Sequence, residues 1–88
     1  MTDKKHELKA WPVYFEPIME GCKCCDLRFD DRGYQVGDVL LLREWDPLAQ
    51  EYTGRSIIAE VLHVMKDTRF GLKPGWVCLS IEVDSILI

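Results

Sequence analysis

The chain has 88 residues, a formal net charge of -4, 48% hydrophobic residues and 30% charged residues. That length fits one domain, 1–88, with a modest core, and the composition excludes a disordered chain. No apolar run approaches the ~20 residues that cross a bilayer, the opening Met1-Thr2-Asp3-Lys4-Lys5 leads into no apolar signal segment, and the acidic balance disfavours a nonspecific nucleic-acid coat. A cytoplasmic location is expected.

Residues 6–10 read as a short opening strand. Trp11-Pro12 then starts a helix, since proline is tolerated in the first turn. Val13, Tyr14, Phe15, Ile18 and Met19 give it a broad apolar face, with Tyr14 and Phe15 expected in the core, and Gly21 ends it. Pro17 removes a backbone bond and is expected to kink it.

Residues 24–29 alternate as a strand, with Cys25, Leu27 and Phe29 on one face and Cys24, Asp26 and Arg28 on the other. Asp30-Asp31-Arg32-Gly33 reads as a turn whose carboxylate caps backbone N–H groups. Gly37-Asp38 leads into Val39-Leu40-Leu41-Leu42, apolar on both faces and so a buried central strand. Asp46-Pro47 and Tyr52-Thr53-Gly54 bracket the polar tip of a long hairpin.

Ser56–Lys66 is the longest strand candidate, with Ile57, Ala59, Val61, His63 and Met65 on one face and His63 as a core histidine. A loop over 67–75 precedes a strand from Trp76 to Val83, whose Val77, Leu79, Ile81 and Val83 point inward. Ile86-Leu87-Ile88 is an apolar tail. Leu27, Leu41, Val61, Val77, Leu79 and Ile81 are the expected core. The fold class is α+β, mostly β: antiparallel strands closing into a partly open barrel, with one short helix after the first strand.

Cys22, Cys24, Cys25 and Cys78 lack the paired CxxC spacing of a zinc site. They read as free packing thiols, and no metal or other cofactor is expected. The chemistry concentrates instead in Gly21-Cys22-Lys23-Cys24-Cys25-Asp26-Leu27-Arg28, at the junction of helix and strand. Asp26 and Arg28 are i,i+2 neighbours on one strand face, and Lys23 joins them from the preceding turn. Arginine offers a planar fork and lysine a point charge, a pairing that suits a phosphate and a base edge. The simpler reading of the same residues is a surface salt bridge worth ~0–1 kcal/mol. Trp45 and Trp76 flank loops, where an indole can stack a base.

Gly-x-Lys-x-x-Asp-x-Arg followed by Val36-Gly37-Asp38 resembles the signature of the ASCH superfamily, which has the PUA-like fold. The resemblance is greater to small bacterial and phage ASCH-like proteins of a domain-of-unknown-function family. It runs through His6-Glu7-Leu8-Lys9, Tyr14-Phe15, Asp31-Arg32, Leu42-Arg43-Glu44, Tyr52-Thr53-Gly54-Arg55 and Phe70-Gly71-Leu72. Asp26 stands where glutamate is usual, one methylene shorter. The resemblance implies a cleft lined by Lys23, Asp26 and Arg28; Lys9, Arg32 and Arg55, which lie in its matching blocks, and Trp45, as a loop-flanking indole, are further candidate ligand contacts.

The leading expectation is a binding module for single-stranded RNA or a modified nucleotide, without a membrane partner. A small amidohydrolase acting on a modified nucleoside is the alternative that the resemblance implies. Lys23 matches its lysine, but Asp26 stands at its threonine and its glutamate lies in an insertion missing here. A protein-interaction domain is the third reading.

Overall fold

A computed structural model describes residues 4–88. Its elements are β1 (Lys5–Ala10), α1 (Pro12–Met19), β2 (Cys25–Phe29), β3 (Val39–Asp46), β4 (Glu51–Met65), a 3-10 turn (Thr68–Phe70) and β5 (Trp76–Leu87). They form one sheet in the order β1-β3-β4-β5-β2. β1 runs parallel to β3, and the other three pairings are antiparallel. The sheet curls into a half-barrel and leaves β1 and β2 as its two edges. These edges approach closely enough for side chains of one to reach backbone carbonyls of the other. No helix among the described residues is long and apolar enough to cross a membrane.

The core fills the concave side. Leu40 and Leu42 of β3, Ile57, Ala59 and Val61 of β4, and Val77 and Leu79 of β5 are all buried there. Strand alternation explains the choice, because side chains two residues apart share a face. Leu41, expected in the core, has the other parity and is half-buried on the outer face. α1 lies over one end of the barrel and presents a narrow stripe. Phe15 and Ile18 are buried, while Val13 and Tyr14 remain exposed. An eight-residue helix lying on a surface buries positions three apart, so the five apolar residues span more than its contact face. The helix runs through Pro17 without a break in its assigned span.

β2 reverses the expected phase. Leu27 and Phe29 are 57% and 53% exposed, and Asp26 is buried. The register of the β2–β5 ladder is the cause. Asp26 pairs with Leu79 and Arg28 with Val77. Residues directly opposite in an antiparallel pair share a face, so the inward residues of β5 carry Asp26 and Arg28 inward with them.

β4 corrects a second expectation. The β4–β5 register shifts between Val61 and His63, and this bulge inserts one residue and reverses the alternation. His63 is therefore exposed, and Val64 packs against the core in its place. The hairpin tip is tighter than expected. Residues 47–50 form the turn, Asp46 accepts from the N–H groups of Leu48 and Ala49, and Tyr52-Thr53-Gly54 lie within β4. β5 also runs past Val83, with Ile86 and Leu87 paired to β4 yet partly exposed.

The cysteines are free, but three of them are not packing residues: Cys22, Cys24 and Cys25 are exposed, while Cys78 is half-buried. Burial raises the Cys78 thiol pKa, and the neighbouring Cys25 adds to the shift.

Gly75 sits at the entry to β5 with φ of 86°, and a Cβ there would lie 2.8 Å from the Phe29 ring. Gly75→Ala is expected to lower stability by more than ~1 kcal/mol, through backbone strain and displacement of that ring. Urea unfolding measures the change, and an unaltered midpoint would contradict this account of the β2–β5 corner.

Candidate functional site at the barrel seam

The site arises from the way α1 hands the chain to β2. Gly21 adopts φ of 82° and turns the chain out of the helix. Pro17 has no N–H to give, but its carbonyl accepts from the amides of both Cys22 and Lys23, at 2.9 and 3.0 Å. The proline therefore belongs to the turn that places Lys23. The Lys23 ammonium donates to the Cys25 carbonyl and stands 3.7 Å from Asp26 Oδ1. Arg28 Nε donates to Asp26 Oδ2 at 2.8 Å.

Two arginines close the seam. Arg28 Nη2 donates to the Lys9 carbonyl at 3.0 Å, and Arg32 Nη1 donates to the Glu7 carbonyl at 3.1 Å. Both carbonyls belong to β1, an edge strand. Guanidinium groups thus take up acceptors that a continuous barrel would satisfy by strand pairing. The turn carrying Arg32 is set by Asp30, whose Oδ1 accepts from the N–H groups of Gly33 and Tyr34. Burial pulls the Asp30 pKa upward, but these backbone donors outweigh it and hold it below its ordinary value.

Between the edges lies an open cleft of about 250 Å³, lined by Lys9, Ala10, Trp11, Tyr14, Asp26, Leu27 and Arg28. A second hollow of about 460 Å³ shares Tyr14, Asp26 and Leu27 with it and adds Lys23, Cys25 and Trp76. The two read as one surface with a carboxylate at its centre. Asp26 lines the cleft; its Oδ2 is held by Arg28, while Oδ1 has the Lys23 ammonium at 3.7 Å and no hydrogen bond. Tyr14, 54% exposed, and Trp76 supply aromatic walls. Lys23, Arg28 and Arg32 bring three cations to the rim, the first two paired with Asp26 and the third with Asp31, while the Lys9 ammonium lies over Trp45.

Four of the seven candidate side chains thus gather at the seam, Lys23, Asp26, Arg28 and Arg32, and Lys9 lines the cleft while its ammonium lies over Trp45. Trp45 and Arg55 do not. Trp45 is on the outer face of β3, with the Lys9 ammonium 3.9 Å from its ring centroid and the Tyr52 ring edge-on at 4.9 Å. Arg55 faces Glu44, giving Nε to Oε1 at 2.8 Å and Nη2 to Oε2 at 2.9 Å. Thr53 Oγ1 donates to the same carboxylate, and Glu16 of α1 lies 3.6 Å from the guanidinium. Arg55 thereby ties α1 to the β3–β4 hairpin, a structural duty.

Sequence reasoning missed three features. Tyr14 was expected inside, yet it forms a cleft wall; its place beside Phe15 on a helix that buries a single stripe was the available signal. Tyr52 and Arg43 form an exposed pair, with the guanidinium 3.7 Å from the ring centroid. His6 gave no indication of its role. It is buried, bonded through Nε2 to Asp38 Oδ2 at 2.8 Å and packed edge-on against Tyr34. Asp38 Oδ1 has no partner, although the same carboxylate also accepts from the Gln35 N–H. Among the described residues, one group of potential metal ligands draws together, Glu60, Glu82 and Asp84 on the outside of β4 and β5.

Fold and site together define a small, mostly-β half-barrel protein with a charged, solvent-open cleft where its sheet edges meet. The chain belongs to the family described as Domain of unknown function (DUF3850), whose profile matches residues 5–81. It is similar to the "Uncharacterized 12.9 kDa protein in GpA 3'region" of Escherichia phage P2, at 39% identity over 64 residues. Those residues are 73% of this chain and 57% of the relative, so the chain spans little more than half of that protein's length.

Proposed function

We propose that this protein is a PUA-like module of the ASCH kind whose seam cleft binds a nucleotide unit of single-stranded RNA. The observation that carries the reading is the state of Asp26. A carboxylate lies buried at the centre of a cleft, compensated on one side by Arg28 and on the other by Lys23, with one oxygen free for a ligand donor. Burying a carboxylate is costly unless it is paired, and a purely structural pair has no need to open onto a cleft. An aspartate acceptor beside arginine and lysine donors matches the mixed edge of a base, and the surrounding cations match a phosphate. Tyr14 and Trp76 give apolar faces against which a base ring packs. The half-barrel with one helix after its first strand fits the PUA-like assignment.

Short single-stranded RNAs and free nucleotides test the reading, with amide NMR shifts as the readout. Arg28→Ala is expected to weaken binding about tenfold or more, the loss of a charge-assisted donor worth ~1.5–3 kcal/mol. Arg28→Lys, which keeps the charge but loses the fork, is expected to restore only part of it. Lys23→Ala should have a smaller effect that shrinks as salt rises. Asp26→Asn should alter the preference among bases more than the affinity. The proposal fails if no ligand moves residues 23–28, or if all of these variants bind like the parent.

A further inference from the structure

Lys9 belongs to two places at once. It lines the cleft, and its carbonyl anchors Arg28. Its ammonium leaves the seam and lies 3.9 Å from the Trp45 centroid and 6.0 Å from that of Tyr52. Arg43, the register partner of Lys9 on β3, covers Tyr52 at 3.7 Å. One strand away from the cleft there is thus a platform of two rings, set edge to face at 73°, with Lys9 on a face of Trp45 and Arg43 on a face of Tyr52, so that a base stacking there would displace one of these cations onto its own phosphate. Parity explains it, since Lys9, Arg43 and Trp45 all occupy outward positions.

We infer that the ligand of the cleft is a single-stranded oligonucleotide that crosses Lys9 and stacks a further base on the Trp45–Tyr52 platform. This rests on the cleft reading and extends it, because a lone nucleotide would fill the cleft and leave the platform unused. Three observations carry the inference. The platform is continuous with the cleft through a single residue. Its chemistry is that of a single-strand track, aromatic faces interleaved with cations. The charge of the molecule is also segregated along this line. Lys9, Lys23, Arg28, Arg32 and Arg43 follow the seam and the adjoining strand and outnumber the carboxylates paired with them, Asp26 with Lys23 and Arg28, Asp31 with Arg32 and Glu7 with Arg43. The acidic group of Glu60, Glu82 and Asp84 lies instead on the outside of β4 and β5, where it would repel a phosphate backbone. A net charge of -4 therefore conceals a cationic path.

The probes are a single-stranded RNA hexamer of mixed sequence and a nucleoside monophosphate, titrated separately into the 15N-labelled full chain. The monophosphate is expected to shift amides at 23–28 only. The hexamer is expected to shift these and also residues 43–52, and to bind about tenfold tighter through one added stack. Tyr52→Leu and Trp45→Ala should each remove most of that gain and leave monophosphate binding unchanged, while Trp45→Phe should retain it. Arg43→Gln, at a partly exposed side chain, should flatten the salt dependence of hexamer binding alone. If the hexamer binds no tighter than the monophosphate, or leaves 43–52 unmoved, the platform inference is overturned and the cleft reading stands. If neither probe moves 23–28, both fall.

Discussion

Phe15→Ala is expected to destabilise the protein by about 3–5 kcal/mol, the range for emptying a buried aromatic site. Phe15 is fully buried and, with Ile18, is what α1 inserts into the open end of the half-barrel. The helix is only eight residues long, lacks a side-chain cap and carries an internal proline. A helix so short has little stability of its own in water and depends on tertiary packing. Removing the ring should therefore loosen the whole helix, and with it the turn in which the Pro17 carbonyl positions Lys23. The comparison variant is Leu27→Ala. The sequence pattern places Leu27 in the core, yet the β2 register leaves it 57% exposed, so its truncation should cost less than ~1 kcal/mol. Urea unfolding of the two variants separates the accounts: equal losses would mean that the β2–β5 register is wrong.

That comparison shows where the sequence was legible. Element order and type could be read from residue patterns, because long alternating runs such as Trp76–Val83 and turn residues such as Gly33 and Gly37 act locally. The phase of β2 could not be read. Cys25, Leu27 and Phe29 are more apolar than Asp26 and Arg28, and burial by hydrophobicity selects the former. The outcome was decided by pairing with β5, where Val77 and Leu79 already faced inward and took Arg28 and Asp26 with them. His63 failed for a related reason, since a bulge has no sequence signature in a continuous apolar strand.

The candidate site was legible as a local cluster, Lys23, Asp26 and Arg28, because turn and strand bring near neighbours together. The seam was not. Arg28 to Lys9 and Arg32 to Glu7 are contacts 19 and 25 residues apart in the chain, and they exist only because the sheet curls until its edges meet. Arg55 is the reverse case. A basic residue in a polar segment suits a ligand contact equally well, and only the burial of Glu44 shows that it is already engaged.

That engagement sets the last expected result. Arg55→Ala should destabilise the protein by ~3–5 kcal/mol at neutral pH, because it leaves the Glu44 carboxylate buried without its countercharge. Glu44 is 2% exposed, and the Thr53 hydroxyl would be its remaining side-chain partner. Replacing both residues, Glu44→Leu with Arg55→Met, should recover much of the loss, since both charges then leave the interior together. The pH dependence has a definite sign. Hydrogen bonds from Arg55, with a smaller contribution from Thr53, hold the Glu44 carboxyl below its ordinary pKa despite the opposing effect of burial. A depressed folded pKa gives stability that is fully present above the unfolded value of ~4.3 and is lost as pH falls through the folded value. In Arg55→Ala the guanidinium donors are gone and only the Thr53 hydroxyl still opposes the effect of burial, so acid neutralises the carboxyl more readily and relieves the penalty. The gap between parent and variant should therefore be widest near neutral pH and narrow as pH falls through the variant's folded pKa toward the lower one of the parent. Urea midpoints for both proteins across that range measure it. A gap that stays constant from neutral to acid would mean that Arg55 contributes by packing over the Phe15 ring, 5.2 Å from its guanidinium carbon, and not by compensating the buried charge.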